Sequence, residues 1–479
     1  MPLAMKVYQA FDREPIAELP ADDAAALERK LQIAANAFAD RDGWLPAHQR
    51  MAILRKASAL LQENRDRFAM MIAREGGKPL TDAIIEVTRG IDGLLNAADE
   101  LRNFGGKEIP MGLTAASANR WAFTTKEPIG VVAAISAFNH PLNLIIHQIA
   151  PAIAVGCPVI IKPAATTPIS CIEIVKLFWE AGLDERWCQT LITEDNALAE
   201  AFATDRRVAF LSFIGSAKVG WYLKGKLPPG TRCALEHGGA APVIVDRSAN
   251  VDAIVGTIVK GGYYHAGQVC VSAQRLFVHE DILASFTEAL AARVAVLHVG
   301  DPKLAQTEVG PLILPREADR VTTWIKEATD AGARQIGGGR MSETTLLPSV
   351  LLNPPTEAKV SVLEVFGPLT CVYGYRDLDE AIRIANSLPY AFQASVFSAD
   401  IAIALRAAKH LDASAVLVND HTAFRTDWMP FAGRRQSGYG VGGIPWTMEE
   451  MADDKMVVFN QGDLGAAMMG STVRFPSAR

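Results

Sequence analysis

A cysteine in Gly267-Gln268-Val269-Cys270 and a glutamate in Glu236-His237-Gly238-Gly239 are the two residues of this chain whose types match covalent oxidation of an aldehyde. A thiolate adds to the carbonyl carbon, and a carboxylate then activates the water that releases the acid. Cysteine is among the most buried residue types, so a thiol alone marks no site. Around Cys270, however, Gly267 allows close backbone approach and Gln268 is polar where a packed core would be apolar. A free thiol, with a pKa of about 8.5, needs a helix amino terminus or neighbouring N–H groups to ionise at neutral pH. Glu236 ends a strand-like approach and precedes two glycines. Taken alone it serves equally as a surface carboxylate at a turn.

Asn139, in Ala137-Phe138-Asn139-His140-Pro141-Leu142, follows another strand-like run. Its amide, with a backbone N–H near the thiol, suits an oxyanion, each such donor being worth roughly 10²–10³ in rate. Structurally it is a turn residue before Pro141. Two glycine-rich stretches compete as phosphate loops. Gly438-Tyr439-Gly440-Val441-Gly442-Gly443 fits the dinucleotide fingerprint by letter, but no apolar strand precedes it and Pro445 interrupts the helix that should follow. Gly215-Ser216-Ala217-Lys218-Val219-Gly220 has the better context, since the strand-like run 208–213 enters it and an amphipathic segment leaves. A helix amino terminus there offers free N–H groups to a pyrophosphate, with Ser216 as a further donor. No Lys-Ser/Thr follows Gly220, so the loop is not of the Walker type.

These residues need a scaffold. In the first third, Leu27, Leu31, Ala34 and Phe38 fall on one helical face, and Met51, Leu54, Leu61, Phe68 and Ile72 continue the period. Beyond residue 130, short β-branched runs (130–135, 159–161, 208–213, 242–245) alternate with amphipathic segments, which predicts a mainly parallel sheet covered by helices. After Cys270 the alternation returns, with strands at 276–279 and 415–419 and a helix at 282–296, so a second α/β domain is expected. Alternation of Trp121, Phe123 and Thr125 predicts a hairpin strand at 119–126 outside the main sheet, and 456–459 reads as a last strand.

Composition bounds the function. With 479 residues, 49% apolar and 21% charged, the chain has the material for a soluble multi-domain globule. A net charge of −6 lacks the basic excess that nucleic acid requires, so none is expected as a partner. The six cysteines are scattered without C-x-x-C pairs or zinc spacing, which points to a reducing, cytoplasmic compartment without disulfides or a bound metal. No secretion signal opens the sequence. The stretch 130–161 is uncharged and longer than a membrane span. Pro141, Pro151 and Pro158 nevertheless break it, and Asn139, His140, Asn143, His147 and Gln148 would lack partners in lipid, so it reads as a buried βαβ passage with no membrane contact.

Taken in order, Asn139 in its proline-containing loop, Lys162-Pro163-Ala164, Phe213-Ile214-Gly215-Ser216, Glu236-His237-Gly238-Gly239, Gly267-Gln268-Val269-Cys270, Glu364-Val365-Phe366-Gly367-Pro368 and Pro430-Phe431-Ala432-Gly433 resemble the aldehyde dehydrogenase superfamily over nearly the whole chain. The resemblance implies an α/β fold of two Rossmann-like open parallel-sheet domains plus a small oligomerisation β element. The cofactor-binding domain would take 1–118 with 130–238, the catalytic domain 239–436, and the oligomerisation element 119–129 with 437–479. It implies Cys270 as nucleophile, Glu236 as general base and Asn139 as half of the oxyanion hole. Lys162 would bind the cofactor ribose, Gly215 and Ser216 the pyrophosphate, and Glu364 and Phe366 the nicotinamide ribose and ring. A homodimer or homotetramer acting on a small aldehyde, with NAD or NADP, is the corresponding expectation.

Several positions depart from the family pattern. Ala165 replaces the acidic residue that would grip the adenosine ribose and repel a 2′-phosphate, so NADP use is open beside NAD. His237, Ala240 and Ala432 replace Leu, Lys and Gly, and Gly442 stands where a late glutamate is usual. His140 and Arg425, the latter in His421-Thr422-Ala423-Phe424-Arg425-Thr426-Asp427, are the substrate-binding candidates, a cation there suiting a carboxylate, sulfonate or phosphonate. The alternative for Arg425 is an ion pair with Asp427. The segment 421–448 resembles the branch acting on lactaldehyde-like and phosphonoacetaldehyde-like substrates, although Val269 replaces the arginine often found before the nucleophile in phosphonate members. Transfer of the thioester to coenzyme A and a catalytically inactive binding homologue are the competing readings.

Overall fold

The computed structural model describes residues 4–460. Its first sheet is built on β1 (Val131–Ile135), β2 (Val159–Lys162), β3 (Cys188–Thr190), β4 (Val208–Ile214) and β5 (Arg232–Glu236). These lie parallel in the order β5-β4-β1-β2-β3. Every residue of β1 is buried, as expected of a central parallel strand covered on both faces. Four amino-terminal helices, α1 (Ala24–Ala39), α2 (Ala47–Glu63), α3 (Arg65–Gly76) and α4 (Leu80–Glu100), pack beside this sheet, and Leu27, Leu31 and Ala34 face inward as their spacing predicts. The crossovers are α5 (Asn143–Val155), α6 (Pro168–Glu180), α7 (Asn196–Ala203) and α8 (Ala217–Lys224).

The uncharged stretch is the βαβ passage β1-α5-β2. One detail differs from the expectation, since Pro151 lies inside α5 and does not end it. All thirteen residues of α5 are buried, so packing on every side holds the helix together where one backbone donor is missing. The polar residues of this passage find partners in protein. Gln148 Nε2 donates to the Ile135 and Ser212 carbonyls at 3.2 and 3.1 Å.

A second sheet holds β6 (Ala241–Val245), β7 (Ala273–His279), β8 (Arg334–Gly337), β9 (Ser349–Leu352), β10 (Leu369–Tyr375), β11 (Gln393–Phe397) and β12 (Ala415–Val418), in the order β8-β9-β10-β7-β6-β11-β12. Only β8 runs antiparallel to its neighbour. Helices α9 (Val251–Tyr263) and α10 (Glu280–Ala295) cover it. Residues 237–240 alone join β5 to β6, so Glu236 stands where the chain passes from one sheet to the other.

The strands Arg120–Pro128 and Ala452–Asn460 pair antiparallel, with Glu108–Ile109 at the edge, and Trp121 stacks on Phe459 at 5.4 Å. Before reaching this small sheet, the carboxyl-terminal segment contributes Gly438–Tyr439 to the first sheet, antiparallel to β5. The helix Ile444–Glu450 then packs on α4 and α5. The unit expected over 437–479 therefore divides, its early part serving the first sheet because Gly438 and Tyr439 satisfy the free edge of β5; residues 461–479 lie outside the described residues. The spurious fingerprint 438–443 is this edge strand and the turn after it. Among the described residues no helix is long and apolar enough to cross a membrane, and no cluster of side chains could hold a metal.

Candidate active site

Loops over the carboxyl ends of the first sheet form one wall of a cleft, the usual ligand position in open parallel sheets. The loop after β1 carries Asn139 and His140, the loop after β4 carries Gly215 and Ser216, and Glu236 ends β5. The opposite wall comes from the second sheet. Leaving α9, the chain passes through His265, Ala266 and Gly267 with φ of 49°, 56° and 71°, a left-handed run that redirects it to Cys270 just ahead of β7. At Gly267 an added Cβ would lie 2.1 Å from the Gly367 carbonyl oxygen, so conformation and space both require glycine.

Cys270, Glu236, Asn139, His140, Gly215, Ser216, Glu364, Phe366 and Arg425 all line this cleft of about 580 Å³. Lys162 and Ala165 do not line it; they flank Ala164, which does. The Lys162 Nζ donates to the adjacent Pro163 carbonyl at 3.3 Å, and burial lowers its pKa. The cleft also contains residues that motif reading did not single out, among them Arg89, Tyr264, Arg320 and Trp324.

Of the six cysteines only Cys270 is partly exposed. Burial still pushes its thiol up to about 12, Glu364 and Glu236 add to the rise, and Arg425 opposes it. Of the two anticipated sources of activation, the helix amino terminus is not used, since no helix begins at Cys270, which lies between a 3-10 turn and a strand. A backbone N–H is the one present, lowering the thiol's pKa slightly against the larger effect of burial. Glu236 is also raised by burial, with Arg425 offsetting part of the effect. Its carboxylate accepts no hydrogen bond from the described residues. It lies against Gly442, where a Cβ would come within 2.1 Å of Oε1, so the glycine at this position leaves room for the carboxylate.

The Asn139 amide donates to the Gln268 carbonyl at 2.9 Å, tying the β1 loop to the cysteine loop. Gln268 itself is buried, its Nε2 donating to Pro311 O at 3.1 Å and its Oε1 accepting from Ile313 N at 3.0 Å. The polarity that drew attention to this residue therefore anchors the loop. On the far side, burial raises Glu364 to about 8, and its Oε1 is buried without a hydrogen-bond partner. A Cβ on Gly238 would fall 1.6 Å from that oxygen, which explains the glycine next to His237. Phe366 has a φ of 49° and meets Phe138 edge-on at 5.8 Å.

A layer of charge supports these groups. Arg89 on α4 pairs with Asp427 at 2.7 Å, and Asp427 also accepts from Asn143 Nδ2 at 3.1 Å. His147 completes the set. Arginine can only donate, so the 3.2 Å contact from Arg425 Nη2 makes His147 Nδ1 an acceptor and leaves the proton on Nε2, which donates to Asp427 at 2.7 Å. Arg425 thus forms no ion pair with Asp427, whose arginine partner is Arg89. Arg425 lies over the Phe431 ring at 3.6 Å, and its Nε is buried without a partner. His140, held neutral by burial and by Lys78, meets the Tyr264 hydroxyl at 3.4 Å. Beneath them Lys78 is ion-paired with Glu86, both fully buried, while Glu86 Oε1 accepts from Leu142 N and Asn143 N at 3.0 Å each. That carboxylate caps the start of α5 and thereby fixes the loop bearing Asn139.

The cleft suits a dinucleotide. Ser216 caps α8, and the backbone N–H groups of Ser216, Ala217 and Lys218 have no protein acceptor among the described residues. The sequence profile described as "Aldehyde dehydrogenase family" matches residues 3–457. The chain belongs to the aldehyde dehydrogenase family. It is accordingly an NAD(P)-dependent oxidoreductase of aldehydes. A 3-sulfolactaldehyde dehydrogenase of Priestia aryabhattai is 35% identical over 457 residues, 95% of either chain. A lactaldehyde dehydrogenase of Methanococcus vannielii is 36% identical over 86% of this chain and 88% of its own. Among solved structures, aldehyde dehydrogenase 21 from Physcomitrella patens in complex with the reaction product succinate superposes with a TM-score of 0.92 at 32% identity, covering 96% of both chains. Glyceraldehyde-3-phosphate dehydrogenase from Methanocaldococcus jannaschii, complexed with NADP, gives 0.91 at 32% identity over 95% of this chain and 99% of that one.

Proposed function

We propose that this aldehyde dehydrogenase oxidises a short anionic aldehyde to its carboxylic acid through a thioester on Cys270, hydrolysed by water that Glu236 activates. The observation carrying this reading is the convergence of Cys270 and Glu236, from separate sheets, on one cleft that also holds Arg425. Because burial and two carboxylates keep the thiol protonated, its proton must leave as the sulfur–carbon bond forms. That proton passes to solvent in the cleft, and Glu236, unbonded and facing the same space, stays free to act as base in the second half of the reaction. The resulting alkoxide is held by the Asn139 amide, which has one N–H beyond the bond to Gln268, together with backbone N–H groups. The nicotinamide, when bound, accepts the hydride that leaves the former carbonyl carbon. Water then attacks the thioester as Glu236 takes its proton, and the tetrahedral adduct expels the Cys270 sulfur. The acid leaves as the carboxylate once its proton has passed to that sulfur, while Glu236 gives its own proton to solvent.

Anionic substrates are favoured by the half-buried Arg425 in the cleft wall. The names of three relatives point the same way, since sulfolactaldehyde, succinate and glyceraldehyde 3-phosphate all carry an anionic group, whereas the lactaldehyde of another relative is neutral. The enzyme is inferred to act in the cytoplasm as a homodimer or homotetramer joined through the small aromatic sheet.

The test is Glu236→Gln. It should retain a rapid burst of one equivalent of reduced cofactor per site and lose steady-state turnover by roughly 10²–10⁴-fold, the usual worth of a general base. Unimpaired steady-state hydrolysis would overturn the assignment, and a requirement for coenzyme A would replace hydrolysis with acyl transfer.

A further inference from the structure

We propose that His237, which stands where the family usually has leucine, is a positioning residue that orients the dinucleotide-binding turn from beneath. Its Nδ1 is 2.8 Å from the Gly215 carbonyl oxygen. A carbonyl only accepts, so Nδ1 carries the proton and Nε2 carries the lone pair. The Gly215 N–H in turn donates to the Glu236 carbonyl at 3.1 Å. One glycine is thus gripped on both its polar groups by two consecutive residues, Glu236 at the end of β5 and His237 just beyond it.

The geometry of the peptide bond turns this grip into an orientation. In a trans peptide the carbonyl and the following N–H point in opposite directions. Drawing the Gly215 oxygen inward to His237 aims the Ser216 N–H outward, toward the cleft, beside the free N–H groups of Ala217 and Lys218. The imidazole itself has little room to move. It is 2% exposed, meets Phe213 edge-on at 5.8 Å and Trp221 at 6.1 Å, and fits only because residue 220 is glycine: a Cβ there would lie 2.0 Å from its Cε1. Nε2 is buried with no hydrogen-bond partner, and burial lowers the ring's pKa, so the neutral tautomer that donates to Gly215 is the one retained. A leucine would fill the same space without the bond, leaving the Gly215 peptide free to rotate.

The inference rests on the reading that the dinucleotide pyrophosphate sits at the Gly215-Ser216 turn, and the experiment separates the two. Dissociation constants for NAD and NADP are measured by calorimetry without aldehyde, alongside the rate of Cys270 alkylation by iodoacetamide as a check on the rest of the site. Ser216→Asp, which places a negative charge at the turn, should abolish binding of both dinucleotides. His237→Leu should weaken both by about 5- to 15-fold, the worth of one buried hydrogen bond of about 1–1.5 kcal/mol, and raise cofactor KM more than it lowers kcat. His237→Asn, whose Nδ2 can occupy the place of the ring Nδ1, should recover most of the affinity even if the leucine variant folds poorly. Retained binding in Ser216→Asp would refute the location of the turn. Loss in Ser216→Asp with binding by His237→Leu within twofold of wild type, or equal weakening by Leu and Asn, would refute the brace while leaving the location standing.

Discussion

Replacing Arg425 by leucine separates recognition of the substrate's anion from the chemistry at sulfur. The side chain is half-buried, lies over Phe431, donates once to His147 and keeps a buried Nε without a partner, so its hydrogen-bonding capacity is largely unused within the protein. A charge-assisted hydrogen bond to an anionic aldehyde would contribute about 1.5–3 kcal/mol. At about 1.4 kcal/mol per factor of ten, its loss lowers kcat/KM for such substrates by roughly 10- to 150-fold. Neutral aldehydes of the same length lose only the help that Arg425 gives to ionising Cys270 and Glu236, a loss the anionic substrates share. The ratio of kcat/KM for sulfolactaldehyde or succinate semialdehyde to that for propionaldehyde, followed by cofactor absorbance, isolates the anion contact. The fold should survive, because Asp427 keeps Arg89, His147 and Asn143 and no charge is stranded. An unchanged ratio, with neutral and anionic aldehydes impaired alike, would refute the substrate role.

The remaining predictions concern the support of the site. Lys78→Met leaves the buried Glu86 unpaired but still bonded to two N–H groups of α5, and should cost about 3 kcal/mol, the lower end for breaking a buried pair; denaturant unfolding reads this, and a cost below about 1 kcal/mol would show the pair to be unimportant. Ala165→Glu should shift the NAD/NADP ratio of kcat/KM at least tenfold toward NAD, by roughly 1.4 kcal/mol or more of repulsion against a 2′-phosphate; an unmoved ratio would place the adenosine ribose elsewhere. Burial holds His147 neutral, with a pKa of about 4 against 6.5 when free. Between those values the folded state binds fewer protons than the unfolded one, so this group's contribution falls as pH drops. Replacing it by glutamine, which can still donate to Asp427 and accept from Arg425, should flatten the fall in Tm from pH 6.5 to 4; an identical slope would exclude His147 as its source.

The chemistry of this protein was legible wherever it depends on residue type and local order. Cys270, Glu236, Asn139 and the Gly215-Ser216 turn stand out as candidates because a nucleophile, a base and a phosphate loop each call for a particular residue type close to a strand, and all of them line one cleft. The βαβ passage was legible because a parallel strand covered on both faces must be apolar throughout. Partnership was not legible, since a hydrogen bond between residues hundreds of positions apart leaves no local mark. Gln268 looked like part of the chemistry and anchors a loop. An ion pair between Arg425 and Asp427, two positions apart, was the alternative to a substrate role for Arg425, and the two side chains belong to different partners. Arg89 carried one faint signal, its spacing with Asp82 and Glu86 along the face that α4 buries, but only the tertiary structure shows that this face meets the cleft. Sequence determined which groups are available; folding decided how far each is withdrawn from water and which charge stands beside it, and those two quantities set the proton affinity of the thiol and the carboxylate.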